Sequence, residues 1–439
     1  MHVENNSNSG IQKNTTKLSD QLIWILTVFL FVCFLIFDSY TWGKYAFLLA
    51  SALIYLISIL ADGGKLSLKF GIYQIYFLCF ILYTALTALW AMNVSHVLTR
   101  ARTLLRILVC ASCLYLHYIK KEDIFPVLTA IKWAGIIVSI YTLFYYGVEN
   151  VLQATVSSSL RLDNDYTNVN TIGMACALSC VIQIFEWIFF HKVRLLEVAF
   201  LLPIVVVIAA TQSRKAIVYV IAGVLLLIFL KNIGSKDFLK ALFKIFVGIV
   251  FAVIVIAVLL QLEMFSGVKE RLSGFINSLL GSGEVDNSIA VRDEMVSLGF
   301  SVWKQHPLLG IGMDNTYIIA EKYLGRETYL HNNYVEILCG GGLVGFCLYY
   351  VMYVYLFVNF MKYRKVNKPL FSICMTWLLL TLIMDWGRVS YYSKTNSFYL
   401  MFMFVAVECL KKKHREMKNE AVEVFESRRQ VSYGSKVSV

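Results

Sequence analysis

Proline and charge are both scarce here. The 439 residues include four prolines, and Asp, Glu, Lys and Arg together make up 15% of the chain. An ordinary soluble domain carries about 25% charge and no long uncharged runs. The shortage excludes a soluble globular enzyme. A hydrophobic content of 59% excludes a disordered chain. Cysteine is absent from the one long polar segment, residues 262–332, where an oxidised loop would place a disulfide. All ten cysteines lie in or beside apolar runs, so a secreted disulfide scaffold is excluded too. Cys110 and Cys113 have C-x-x-C spacing without a second pair, and they read as small packing residues. There is no P-loop, no dinucleotide fingerprint and no zinc-ligand spacing, so no metal and no cofactor is expected.

Long apolar runs are what the sequence does have. A bilayer-crossing helix needs about 20 apolar residues. On that ruler twelve runs qualify, near 22–37, 44–61, 70–92, 103–119, 124–147, 169–190, 195–212, 216–230, 241–261, 333–360, 369–386 and 396–410. The expected fold class is therefore all-α: a polytopic integral membrane protein of about 12 transmembrane helices, with a long, partly helical extracytoplasmic loop. The segment 195–230 could pass for a single long helix. Adjacent Arg214 and Lys215 at mid-bilayer would be costly, so a hairpin turning at 213–215 is expected. Residues 1–21 form a polar N-terminal segment without a cleavable signal, 22–410 the bundle, and 411–439 a basic tail.

The net charge of +12 is spread over short clusters between runs and in the tail. Such clusters are topology signals and headgroup contacts, and they do not form the single basic face that nucleic acid would require. With the N-terminus inside, inner segments hold 23 Lys and Arg against 8 in the short outer ones. Both termini are expected in the cytoplasm. The outer arginines, which oppose that bias, become informative.

The long outer segment carries six Lys or Arg and nine Asp or Glu, so its overall field does not attract anions. Val291, Met295, Leu298 and Val302 recur at helical spacing, predicting a helix that lies on the outer surface or caps the bundle. His306-Pro-Leu-Leu-Gly-Ile-Gly312 is a turn-rich break. Sorting polar groups by side leaves His331, in Tyr329-Leu-His-Asn-Asn-Tyr-Val-Glu336, and the arginines Arg161, Arg214 and Arg292 as candidates. Taken singly, His331 reads first as an interfacial anchor of its helix, and each arginine as a snorkelling or headgroup-contacting residue; it is their occurrence together that points to a site. Asp163-Asn164-Asp165 has D-x-D spacing but reads as turn chemistry. Gly340-Gly341-Gly342 with Gly345 reads as close helix packing.

Several segments together resemble the O-antigen ligase and polymerase family. They are Arg292 through Gly312, His331-Asn-Asn-Tyr-Val-Glu336 with the glycine run ending at Gly345, Thr211-Gln-Ser-Arg-Lys-Ala216, and Arg161 followed by Asn168-Val-Asn170-Thr-Ile-Gly173. The resemblance covers roughly residues 160–350 and implies metal-independent glycosyl transfer at the outer face of the bacterial cytoplasmic membrane. The donor it implies is an oligosaccharide on undecaprenyl diphosphate. It further implies His331 as the base for the acceptor hydroxyl, Arg292 and Arg214 beside it in catalysis, and Arg161, Asn170, Asn332, Glu336 and Arg388 as substrate-binding residues. Expected partners are the lipid-linked oligosaccharide, membrane lipids, a flippase and a chain-length regulator, with no nucleic acid. The forms Ser213-Arg-Lys-Ala216, His331-Asn-Asn-Tyr334 and Asp385-Trp-Gly-Arg388-Val-Ser-Tyr-Tyr392 are more similar to capsule or exopolysaccharide polymerases, and a ligase is the alternative.

A twelve-span transporter belongs to a different class. It would use ionisable groups at mid-membrane, and Arg106, Lys132, Glu186, Lys244 and Glu336 are the candidates. No repeat between halves supports it.

Overall fold

A computed structural model describes residues 4–434 except 39, 66–69, 157–159, 163–165, 192, 194 and most of 235–286. For residues 4–17, 44, 287–289 and 424–434 it describes the backbone alone. Among the described residues every regular element is helical and there is no strand. In chain order the helices are α1 Glu4–Ile36, α2 Gly43–Ala61, α3 Ile72–Leu86, α4 Val94–Lys121, α5 Phe125–Tyr146, α6 Val148–Val156 and α7 Val169–Phe190. They continue as α8 Leu195–Thr211, α9 Arg214–Asn232, α10 Asn287–Gln305, α11 Thr316–Leu324, α12 Asn333–Lys362, α13 Lys368–Asp385 and α14 Lys394–Gly434.

Seven helical segments among the described residues are long and apolar enough to cross a membrane, and 45–61 and 195–211 are shorter apolar helices. The fold is thus an all-α polytopic membrane bundle. The run expected at 241–261 lies largely outside the described residues. The hairpin expected at 213–215 is present, because α8 ends at Thr211 and α9 starts at Arg214. Gln212 makes the turn with φ +48°, in the left-handed region.

Helix α7 is the bundle's axis. It packs against α5, α8 and α9, while α5 packs on α1 and α9 on α13. Most of α7 is buried, including the polar Ser179 and Gln183. Ser179 donates to the Lys132 carbonyl at 2.7 Å, meeting the requirement that a buried hydroxyl find a partner.

Two of the mid-membrane charges satisfy each other. Lys132 Nζ lies 2.6 Å from Glu186 and 3.2 Å from Glu197, and Gln183 donates to Glu197 at 3.2 Å. Burying an ion is tolerable when it is paired and hydrogen-bonded in this way. The cluster sits at the end of α5, α7 and α8 opposite to the cavity described below. Of the other charges, Lys244 lies outside the described residues, and Glu336 is built into a loop support.

Helix α10 bears out the amphipathic stripe. Met295 and Val302 are buried with Ile311, Ile319, Leu330, Val335 and Cys339, and Val291 and Leu298 pack against them. This small core seats α10 on the first turns of α12, where it caps the bundle.

The glycine run is more than a packing surface. At Gly342 the backbone turns to φ +63° and ψ −165°, breaking α12. The loop after α10 fills the break: Ile311 N donates to Cys339 O at 3.0 Å and Gly312 N to Gly340 O at 2.9 Å. In return Leu343 N donates to Pro307 O at 2.9 Å and Val344 N to Leu308 O at 3.2 Å. The His-Pro-Leu-Leu-Gly-Ile-Gly segment therefore supplies the hydrogen bonds that the helix gives up. Only glycine suits either side of this seam. Gly310 and Gly342 both have positive φ, and a Cβ on either would lie 2.3–2.6 Å from backbone atoms of the other strand of the seam.

Candidate active site

The hairpin between α8 and α9 is tied down by Arg161. Its Nε donates to Thr211 O at 2.9 Å, satisfying a carbonyl left open at the end of α8, and Nη2 donates to Asn170 Oδ1 at 3.1 Å. Gln212 is anchored through Nε2 to Ala154 O at 2.8 Å. Arg161 is thereby a strut beneath the site. Past the turn, α9 opens with Arg214 and Lys215, two cations at a helix N-terminus. The positive end of the helix dipole disfavours cations there, so both are placed against local stability. Lys215 donates to Gly387 O, fastening the loop that follows α13.

A buried polar cluster sets that loop. Asp385 accepts from Asn333 Nδ2 at 3.2 Å, from the Tyr350 hydroxyl at 3.1 Å and from Ser390 Oγ at 2.6 Å. Asn333 Oδ1 accepts from Ser390 N at 2.8 Å and Tyr391 N at 3.0 Å. The loop therefore leaves α13 in one conformation and carries Arg388 and Tyr392 into the cavity. Arg100 lies over the Tyr392 ring at 3.7 Å and pairs with Asp314 at 2.7 Å, bracing it from behind.

His331 precedes α12. Its backbone has φ +57°, an unfavourable conformation for a residue with a side chain and one that recurs at functional sites. The flanking residues enforce it. Asn332 caps α12, accepting from Tyr334 N at 3.0 Å and Val335 N at 3.2 Å. Glu336 reaches back to accept from Leu330 N at 2.8 Å and from the Thr316 hydroxyl. The imidazole packs against Tyr329 in a tilted arrangement, with ring centroids 4.2 Å apart and planes at 47°.

These pieces enclose a cavity of about 350 Å³. Lys215, Arg292, Arg388 and His331 form its polar part with Asn168, Asn170, Thr171, Ser390, Ser393 and Thr395. Its apolar part is made by Leu35, Met174, Ala175, Leu178 and Trp377. Among the described residues no Asp or Glu lines it. Residues at the N-termini of four helices contribute: Asn168 and Asn170 at α7, Lys215 at α9, His331 just ahead of α12, and Ser393 and Thr395 at α14. Helix N-termini carry partial positive charge and unpaired N–H groups, a recurrent anion-binding arrangement. With three cations added, the cavity is built for an anion. Arg388 Nε is buried without a hydrogen-bond partner among the described residues.

Burial, followed by the charges of Arg292 and Lys215, pushes the His331 pKa down to about 4. The imidazole is therefore neutral at physiological pH and able to accept a proton. Burial also holds the Tyr329 and Tyr392 phenols above their ordinary range, so both remain neutral donors. Among the described residues no group of three or more His, Cys, Asp or Glu side chains is placed to hold a metal ion.

Of the residues singled out by sequence, the structure brings His331, Arg292, Asn170 and Arg388 into one cavity. Asn332 and Glu336 are buried beside it and support the His331 turn, and Arg161 supports Asn170. Arg214 is adjacent to the lining; Lys215, its neighbour, lines the wall. Asp163 to Asp165 lie outside the described residues. Sequence reading missed Lys215, Tyr329 and Tyr392 as site residues. Lys215 had a legible signal, since Lys215, Tyr219 and Gly223 follow at i, i+4 and i+8, and Tyr219 and Gly223 are buried.

Residues 198–350 match the O-antigen ligase family. The match begins inside α8 and takes in Lys215, Arg292, the seam at Gly342 and His331. Over those residues the chain is similar to the O-antigen ligase family. Arg161, Asn168 to Asn170 and Arg388 fall outside the matched residues yet meet the same cavity wall or its support. A search of curated proteins finds no match to the chain.

Proposed function

We propose that the protein is a surface-polysaccharide polymerase that joins oligosaccharide repeat units carried on undecaprenyl diphosphate. The observation that carries this reading is one cavity, with no carboxylate among its described lining residues, where three cations and four helix N-termini surround a neutral imidazole. The chemistry requires both parts. The acceptor sugar's hydroxyl oxygen attacks the anomeric carbon, its proton passes to the His331 imidazole, and the bond from that carbon to the diphosphate oxygen breaks. The diphosphate departs with the bonding electron pair. Lys215, Arg292 and Arg388 are positioned to neutralise it, stabilisation that acts where charge develops. No metal enters this scheme, because the cations of the chain take that role.

Binding also tunes the base. Arg292 and Lys215 depress His331, and a bound diphosphate offsets them. The imidazole thus becomes more basic once the donor is in place, which suits general-base catalysis near neutral pH. Arg292 on α10 completes the cation set from above, so α10 acts as the lid of the donor site. The apolar wall of Leu35, Met174 and Leu178 is suited to the apolar part of a lipid-linked donor. We assign the cavity to the outer face of a bacterial cytoplasmic membrane, with both termini in the cytoplasm, on the Lys and Arg distribution. A flippase and a chain-length regulator are the partners this reading calls for.

The second reading, a ligase that transfers a finished glycan to an acceptor, uses the same chemistry and is supported by the family match. Lipid extraction and gel analysis of glycans from cells lacking the protein separate the two. Single repeat units accumulating on undecaprenyl diphosphate, with loss of the polymer ladder, is the expected result. Full-length polymer stranded on the lipid carrier would establish the ligase, and unchanged glycans would refute both.

A further inference from the structure

We infer that the loop Pro307–Gly312 enters the bilayer and anchors the lid helix α10 in lipid. The residues 262–332 read from sequence as wholly outside the membrane, so this changes where one face of the protein meets its solvent. The loop tip is apolar and uncovered: Leu308 is 62% exposed and Leu309 47%. Two such leucines in water would be unfavourable, but here they continue a surface that already faces lipid. On α12, Leu343 and Val344 are the first exposed residues, and the exposed stripe then runs on through Val351, Val354 and Val358. Above Leu343, α12 is covered by α10 and by the loop itself. The Leu308 carbonyl is bonded to Val344 N, which sets the leucine pair beside the top of that stripe.

Depth follows from helix length. Lys362 is the first charge at the far end of α12. At 1.5 Å per residue, the hydrocarbon thickness of about 30 Å spans about 20 residues. Counting back from Lys362 reaches Gly342, so the helix break and the leucine pair lie at the edge of the hydrocarbon. Non-helical backbone is tolerated at that depth where its polar groups find partners within the protein, and most of this loop's do. The carbonyls of His306, Pro307 and Leu308 accept from Gly310, Leu343 and Val344, and the N–H groups of Ile311 and Gly312 are taken by the opened turn of α12. The Tyr83 hydroxyl closes the third side, donating to Gly341 O at 2.6 Å.

The consequence is a lever. Helix α10 carries Arg292 at one end over the cavity and is held at the other by a lipid-embedded loop. The partner is the bilayer's acyl-chain edge, on whichever side of the membrane the cavity opens. This inference concerns depth and does not depend on the reaction proposed above.

The test places a bimane label by Leu308→Cys in a chain whose two exposed cysteines are removed by Cys79→Ala and Cys347→Ala, reconstituted in phosphatidylcholine vesicles. Lys322→Cys on exposed α11 is the aqueous control, and Leu309→Cys is the second site should the first variant not fold. Phosphatidylcholine carrying a nitroxide near its headgroup is expected to quench the probe at 308 or 309 several-fold more than aqueous iodide does, with the reverse order at 322. Iodide quenching at 308 and 309 equal to that at 322 would overturn the inference.

Discussion

His331 concentrates the residue-scale argument. Its strained backbone is held by Asn332 and Glu336, and burial, then the charges of Arg292 and Lys215, keeps it unprotonated. A base with a pKa near 4 in the free protein must lose activity as pH falls through that value, because protonation removes its acceptor lone pair. The profile of kcat/KM should therefore have its acid limb near pH 4, while that of kcat, which reports the loaded enzyme, should lie above it by the part that the charges of Arg292 and Lys215 contribute, burial holding it below the ordinary histidine value. Coincident limbs would show that the donor does not offset the cations. His331→Ala should reduce kcat by about 10²- to 10⁴-fold, the usual contribution of a general base. The choice between Arg214 and Lys215 tests the geometry directly. Lys215→Gln should weaken donor handling by about 10²-fold or more, in line with losing one charge-stabilising donor, and Arg214→Gln should do markedly less. The residue types were legible from the start, because an outer histidine and arginines that oppose the charge bias stood out by position. Their division of labour was not, since it depends on which way each side chain leaves its helix.

The elements explain why so many motif residues never touch the cavity. Asn332, Asn333, Glu336 and Asp385 spend their side-chain oxygens on backbone N–H groups and neighbouring side chains, so that His331 and Arg388 arrive in place. Asn332→Ala should cost about 1 kcal/mol of stability through the lost helix cap, seen as a lower melting temperature, with a KM for donor close to that of the parent protein. The seam at Gly342 is a stronger case. Gly342→Ala places a Cβ 2.3 Å from the Leu308 backbone and imposes φ +63° on a residue with a side chain. Positive-φ strain of roughly 1–3 kcal/mol adds to four exchanged hydrogen bonds of about 1 kcal/mol each. The variant should be recovered poorly from membranes and be more readily cleaved near residue 307. Hydropathy and charge were enough to find the hairpin at 213–215 and the amphipathic α10. The helix break was not legible, because a triple glycine looks the same in a packing face and in a seam until the loop that fills it is located.

At the scale of the whole molecule, an apolar bundle positions one cationic chamber, with no carboxylate among its described lining residues, where four helices begin. Opposite it, Lys132 pairs with both Glu186 and Glu197 inside the bundle. The all-helical membrane architecture was readable from run length alone, whereas the convergence of helix N-termini was not, since hydropathy records where a helix crosses and not which neighbours it meets. The central claim is that this chamber holds a lipid diphosphate while His331 takes the acceptor's proton. Single-turnover consumption of an undecaprenyl-diphosphate-linked oligosaccharide by the purified, reconstituted protein tests it most directly, run beside His331→Ala and Lys215→Gln. The account predicts products joined end to end by the parent protein, donor still bound but scarcely consumed by His331→Ala, and impaired donor capture by Lys215→Gln. Turnover by His331→Ala at the parent rate would contradict it.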